Sequence, residues 1–282
     1  MDENPYLAAI RLLVLDTSVT DNVRTDWLTV IDNSARVVTQ KPALRKFETA
    51  RLLAVTLAAL HETAVDRFGE GEHPFTLDPF PKYRRTKGAP SQVLPCEPGS
   101  ERLWVGINDE MNSWEGAFYE LAHEAIHLLS PVIPPLGANP TVATLDEGVA
   151  VHFAECMYDR YIRPYFAENP GTRPVGATYG INKQYSNAHA AASKLNDTAL
   201  RNISDAFGGF PYALDSGRLH TLAAGAITDE EARILARPFD YLRLGSSPTA
   251  ADWRLPVPDE PSERSAHVPD GNPELTPFPR SN

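Results

Sequence analysis

Tyr119-Glu-Leu-Ala-His123-Glu124-Ala-Ile-His127-Leu-Leu129 decides how this chain is read. It sets two histidines four positions apart in an apolar-periodic, helix-forming stretch. On an α-helix such residues stand one above the other, about 6 Å apart along the axis and about 40° apart around it. Two imidazoles so placed can hold one metal ion from the same face. Glu124 follows the first histidine and is displaced sideways, within reach of a water on such an ion without ligating the ion. A catalytic zinc ion takes a third protein ligand and keeps one position open. The stretch Leu145-Asp-Glu147-Gly-Val-Ala150 offers that ligand, Glu147, twenty positions after His127. Thr144-Leu-Asp-Glu147 equally matches a capping box, in which the Glu147 carboxylate only returns to the start of its own helix.

The neighbouring sequence frames this helix. Asn112-Ser-Trp-Glu115 reads as a capping-box start and Ser130-Pro131 as a stop. Phe118, Leu121, Ala122, Ala125 and Leu129 form its buried stripe. Upstream, Arg102-Leu-Trp-Val-Gly-Ile107 reads as a strand, and 73–99, rich in Pro and poor in periodicity, as a long loop. Pro42 opens a long helical pattern that Gly69 ends. Trp27–Ile31 and Ala35–Thr39 flank Asp32-Asn-Ser34 and read as a β-hairpin. Residues 7–16 fit a strand or a short helix. Downstream, helical patterns cover 144–161, 187–206, 218–225 and 228–237. The last opens on a second capping box, Thr228 with Glu231. From Gly245 the chain holds eight prolines in 38 residues and reads as an irregular tail. Together these elements predict an α+β fold. A small mixed sheet and the His-bearing helix occupy 1–130, a mainly helical lobe 131–244, and the Pro-rich tail 245–282.

Composition narrows the function classes. A net charge of -11 and the absence of a basic run argue against nucleic-acid binding. No apolar stretch reaches the length of a membrane span, and the acidic start lacks a signal-peptide charge pattern. Two cysteines, Cys96 and Cys156, form no disulfide framework and no metal-ligand pair, so both are expected to be reduced in a cytoplasmic protein. Cys156 is expected to be a small buried hydrophobe.

The His-Glu-x-x-His pentapeptide with Glu147 at that distance resembles the gluzincin metallopeptidases, the thermolysin-like branch of the zincins. Asp146-Glu-Gly-Val-Ala150 is similar to the Asn-Glu-Gly-x-Ala context of the zinc-ligand Glu in aminopeptidases of that clan. The resemblance covers roughly 112–158. It implies a zincin-like fold, Zn2+ on His123, His127 and Glu147, Glu124 as general base, and hydrolysis of a peptide or protein substrate. The alternative is a zincin-like module that binds or regulates without turnover.

Two departures from the family pattern bear on residue roles. Thermolysin-like enzymes carry, four positions after the ligand Glu, an Asp that orients a zinc histidine. Here that position is Val151, which leaves Glu120, Asp146 and Glu155 as candidates for the task. The aminopeptidases' Gly-x-Met-Glu-Asn signature is absent. The oxyanion donor has no motif. Tyr179, Tyr185, His189, Tyr212 and His220 are candidates, with Tyr185 and His189 the preferred catalytic pair at i,i+4. In zincins a peptide commonly pairs with an edge strand beside the metal helix. The 103–107 strand is expected either to be that edge, with Gly106 admitting a second backbone, or to be an ordinary interior strand.

Overall fold

The computed structural model describes residues 4–38, 42, 46–71, 75–84, 89–97, 100–111, 113–133, 141–166 and 183–241. The chain opens with α1 (Pro5–Asp16), α2 (Asp21–Asn33) and α3 (Phe47–Phe68). Four strands follow: β1 (Thr76–Leu77), β2 (Lys82–Tyr83), β3 (Gln92–Pro95) and β4 (Arg102–Ile107). Then come α4 (Trp114–His127), α5 (Thr144–Met157) with a π-helical turn at Tyr158–Ile162, and α6 (Lys183–Ala192). The described chain ends with α7 (Asp197–Phe207), α8 (Ser216–Leu222) and α9 (Asp229–Leu235). The expected mix of helices with one small sheet is present. The 245–282 tail, Tyr179 and 134–140 lie outside the described residues.

The α3 helix forms the floor of the molecule. Its sequence is apolar nearly all round, and fourteen of its 22 residues are buried, as befits a helix enclosed by neighbours on several sides. It packs against α4, and α4 in turn against α5. Leu121, Ala122 and Ala125 from α4 and Ala150 and Phe153 from α5 share one core cluster with Leu57, Ala64 and Phe68 from α3. The small alanines let the α3–α4–α5 stack close up, while Phe68 meets Phe153 and Phe210 edge-on at 6.0 and 5.8 Å.

In the sheet, β4 is interior. Parallel β1 and β2 lie along successive halves of one of its sides, and antiparallel β3 along the other. This corrects the edge reading of 103–107. Gly106 admits no second chain, because a Cβ there would stand 2.8 Å from Arg84 Cγ and 3.1 Å from the Trp104 ring. The free edge belongs to β3, in the segment expected to be loop.

The β3 edge has a defined polarity. Gln92 pairs with Gly106 and Leu94 with Trp104, and the Cys96 N–H donates to the Arg102 carbonyl at 2.7 Å. By the alternation of antiparallel ladders, the main chain of Gln92 and Leu94 faces β4. The main chain of Ser91 and Val93 therefore faces outward, and Pro95 has no N–H to offer.

The hairpin expected around Asp32-Asn-Ser34 is instead the end of α2. Trp27 and Ile31 are its two buried residues, one helical turn apart. Their packing on the core outweighs the local β preference of Thr-Val-Ile. The first segment, 7–16, resolves as helix. The 187–206 pattern divides into α6 and α7, because Asn196 caps a new helix by accepting from the Ala199 N–H at 2.9 Å.

Candidate metal centre

Two helices build the site. The first, α4, begins where Ser113 Oγ accepts the Gly116 N–H at 3.0 Å; Ser113 is the cap, and Asn112 lies outside the described residues. Its periodicity buries Leu121, Ala122 and Ala125 and leaves His123 and His127 on the opposite, cavity side. Glu124 is buried between these faces.

The second helix, α5, starts at Ala143 with no side-chain cap bond, so the Thr144–Glu147 capping box does not form. Ala143 is fixed from outside instead. Its N–H donates to the Pro211 carbonyl at 2.8 Å, and the Thr144 N–H to Arg237 at 2.7 Å. Glu147 is thereby freed to turn toward α4.

His123 Nε2 and His127 Nε2 lie 3.1 Å apart. Glu147 Oε2 is 3.2 Å from His123 Nε2, and its Oε1 is 3.7 Å from His127 Nε2. Three ligand atoms held tetrahedrally at zinc bond lengths would stand ~3.3 Å from one another. The Nε2–Nε2 and His123–Oε2 separations lie close to that figure, and His127 meets the other carboxylate oxygen at 3.7 Å. His123, His127 and Glu147 thus form a group that can hold a metal ion.

The His127 ring is oriented from behind. Its Nδ1–H donates to Asp146 Oδ2 at 2.9 Å, which leaves Nε2 aimed at the ligand centre. Asp146, the residue before Glu147, thus fixes the orientation of the His127 ring. Of the other two candidates, Glu155 accepts from the Tyr119 hydroxyl at 3.1 Å, and Glu120 lines the cavity.

Electrostatics follow from burial of four carboxylates beside two imidazoles. Burial pulls His127 down, but Asp146 and Glu147 outweigh it and lift the ring to about 10. His123 is likewise raised, burial being overcome by Glu147. Burial pushes Glu147 up, and His127 and His123 reverse this and hold it near 2. Burial lifts Glu124 to about 7, against the pull of His127 and His123. Without an ion, protons on the imidazoles supply the positive charge that the carboxylates demand. One oxygen each of Glu124, Asp146 and Glu147 is buried with no hydrogen-bond partner among the described residues, as expected of groups that face a ligand.

The site opens into a cavity of about 360 Å³. Ser91, Gln92, Val93 and Pro95 of the β3 region form one wall, and Pro131, Val132 and Ile133, just after α4, another. Tyr185 and Tyr241 also line it. The Tyr185 ring is 6.3 Å from that of His123, so this residue adjoins the site.

His189 does not. It faces His152, ring centroids 5.9 Å apart, and is not among the residues that line the cavity. The i,i+4 spacing places Tyr185 and His189 on one side of α6, yet Tyr185 meets His123 of α4 while His189 meets His152 of α5. His220 Nδ1 pairs with Asp229 at 2.9 Å on the surface, and Tyr212 is exposed. Cys156 is half-buried beside His152 rather than fully enclosed, and both cysteines are free thiols.

Tyr241 was not legible in the sequence. Its hydroxyl donates to Glu147 Oε1. It arrives there because 237–241 is strapped across the start of α5: Phe239 N–H donates to the Val142 carbonyl at 2.9 Å, and Asp240 N–H to Gln184 Oε1 at 3.2 Å.

Gly148 explains another part of the motif. A Cβ there would stand 2.7 Å from the Ala188 carbonyl oxygen of α6. The glycine after Glu147 lets α6 cross close enough to bring Tyr185 to the site.

Among the described residues no helix is long and apolar enough to cross a membrane. No protein-family model, no curated protein and no solved structure matches the chain, so none ties it to the gluzincins and the site is read from its own geometry.

Proposed function

We propose that this chain is a zinc-dependent hydrolase of the metallopeptidase type, gluzincin-like in its ligand set. One observation carries the reading. Two imidazole Nε2 atoms and a buried carboxylate converge within 3.1–3.7 Å, with Glu124 of the same helix turn beside them. The donor set of two nitrogens, one oxygen and an imidazole fixed by Asp146 suits zinc.

A zinc ion on His123, His127 and Glu147 supplies Lewis acidity toward a carbonyl and lowers the pKa of water. Glu124 takes the proton of the attacking water and returns it to the leaving amine. Its burial keeps it a stronger base than an exposed carboxylate. Tyr185, which lines the cavity, is the hydroxyl donor available to the tetrahedral oxyanion, because Tyr241 gives its proton to Glu147. Ser91 and Val93 turn their main chain outward along the cavity wall, which supports an extended peptide paired antiparallel to β3.

The test is metal content of protein purified without added zinc, followed by digestion of an unbiased peptide library. Close to one zinc per chain with a reproducible cut pattern is expected. Occupancy that stays well below one after zinc addition overturns the metal centre. Full occupancy without cleavage leaves the alternative, a metal-bearing binding module.

A further inference from the structure

We infer that Glu120 recognises a positively charged group on the ligand, either a Lys or Arg side chain or a free α-amino group, bound beside the Ser91 end of β3. The inference rests on the peptide-hydrolase reading of this cavity and names the class of peptide it takes.

The charge distribution in the cavity is one-sided. Glu120, Glu124, Asp146 and Glu147 all line it, and no Lys or Arg does among the described lining residues. A divalent ion offsets two of these four charges. Glu147 is committed to the ion, Glu124 to water, and Asp146 to His127. Glu120 is the acid left without a task. Buried oxygens of Glu124 and Asp146 with no hydrogen-bond partner among the described residues mark the same cavity as built to receive positive charge.

Glu120 stands one helical turn before Glu124 and on the same side of α4, about 6 Å along the axis. The Ser91 hydroxyl stands beside it and favours its charged form. Ser91 Oγ accepts the Asn108 N–H at 3.1 Å, which leaves its own proton free to turn toward Glu120. A carboxylate has about four acceptor positions, which leaves several on Glu120 for a ligand. Burial raises the Glu120 carboxyl, and Ser91 and His123 only partly oppose this. An incoming cation would repair the deficit. Ser91 opens the β3 edge, so a chain aligned on Val93 presents a fixed residue to Glu120.

The test uses binding, so it is separate from turnover. Zinc-loaded Glu124→Gln protein is titrated calorimetrically with matched short peptides. These carry Lys or uncharged norleucine at successive positions, with a free or acetylated amino terminus. Charged peptides are expected to bind roughly ten- to a hundredfold more tightly than their neutral counterparts, the range of a charge-assisted hydrogen bond. Which replacement removes the preference, norleucine or acetyl, identifies the source of the charge.

Adding Glu120→Gln should bring the charged-to-neutral ratio close to one, and Glu120→Lys should turn the preference toward Asp or Glu. A role limited to orienting His123 would move zinc affinity and leave the ratio alone. Equal affinities in the parent, a ratio retained in Glu120→Gln, or no binding of any peptide overturns the inference. Cleavage of neutral peptides by the unmodified protein reports separately on the hydrolase reading.

Discussion

Asp146 Oδ2 accepts the Nδ1–H of His127 at 2.9 Å, and the next residue in the chain, Glu147, faces the Nε2 of the same ring. One turn of α5 thus supplies both a candidate metal ligand and the group that orients the neighbouring imidazole. Asp146→Asn keeps the volume and removes the charge behind the imidazole. Zinc affinity should fall by about 10- to 100-fold, read by competition with a chromophoric chelator. Unchanged affinity would mean that the ring is held by packing alone.

Glu124 and Glu147 should fail differently. Glu124→Gln is expected to keep zinc and fold while losing most turnover. Activity of the unmodified enzyme should rise with pH as the buried Glu124 ionises near neutrality, because a zinc ion would take the place of the two imidazolium charges that already oppose its burial. Glu147→Ala should lower zinc occupancy and the zinc-dependent part of Tm. Full zinc in Glu147→Ala would place the third ligand elsewhere.

Zinc uptake should release protons. In the metal-free protein the carboxylates lift His127 to about 10 and raise His123, and an ion must displace what those Nε2 atoms hold. Roughly one to two protons per zinc are expected at pH 7, measured calorimetrically in buffers of different ionisation enthalpy. Apparent affinity should therefore strengthen as pH rises toward 10 and weaken below it. Glu147, held near 2, adds no pH dependence in this range.

Val93→Pro tests the β3 edge. The Val93 N–H points away from β4, so its loss spares the sheet ladder and removes a donor from the cavity wall. Peptide cleavage should fall at least about tenfold, with zinc content unchanged. Normal kinetics in folded Val93→Pro would move the substrate off this strand.

His61 sits deep in α3, and burial lowers it from 6.5 to about 4, with the Leu128 backbone at the end of α4 only partly opposing this. Its folded pKa lies below its unfolded one. Its contribution to stability is therefore complete above about 6.5 and is lost as pH falls through about 4. The span is on the order of 3 kcal/mol. His61→Leu should flatten the acid limb of stability against pH in urea melts. A limb of unchanged slope would assign acid unfolding to other groups.

The sequence by itself determined what repeats along one helix. Four-residue spacing puts His123 and His127 on one face of α4 whatever surrounds it, and the apolar stripe says which face is buried. The ends of α3 and α9 were equally legible, from Gly69 and from the Thr228–Glu231 capping box, because glycine and capping chemistry act within a single turn. Tertiary structure decided the rest. Whether Glu147 caps its helix or meets His123 depends on who satisfies the start of α5, and that partner is Arg237, 93 residues away. Tyr241 reaches Glu147 across 94 positions, a separation no local pattern encodes. His189 shared a helix face with Tyr185 in sequence, but the fold sets it beside His152 of α5. The α2 segment carried strand-forming residues and became a helix because Trp27 and Ile31 gain more by packing together on the core than Thr, Val and Ile lose in propensity. The strands β1 to β3 are two to four residues long, too short to show a period, and exist because β4 offers them hydrogen bonds.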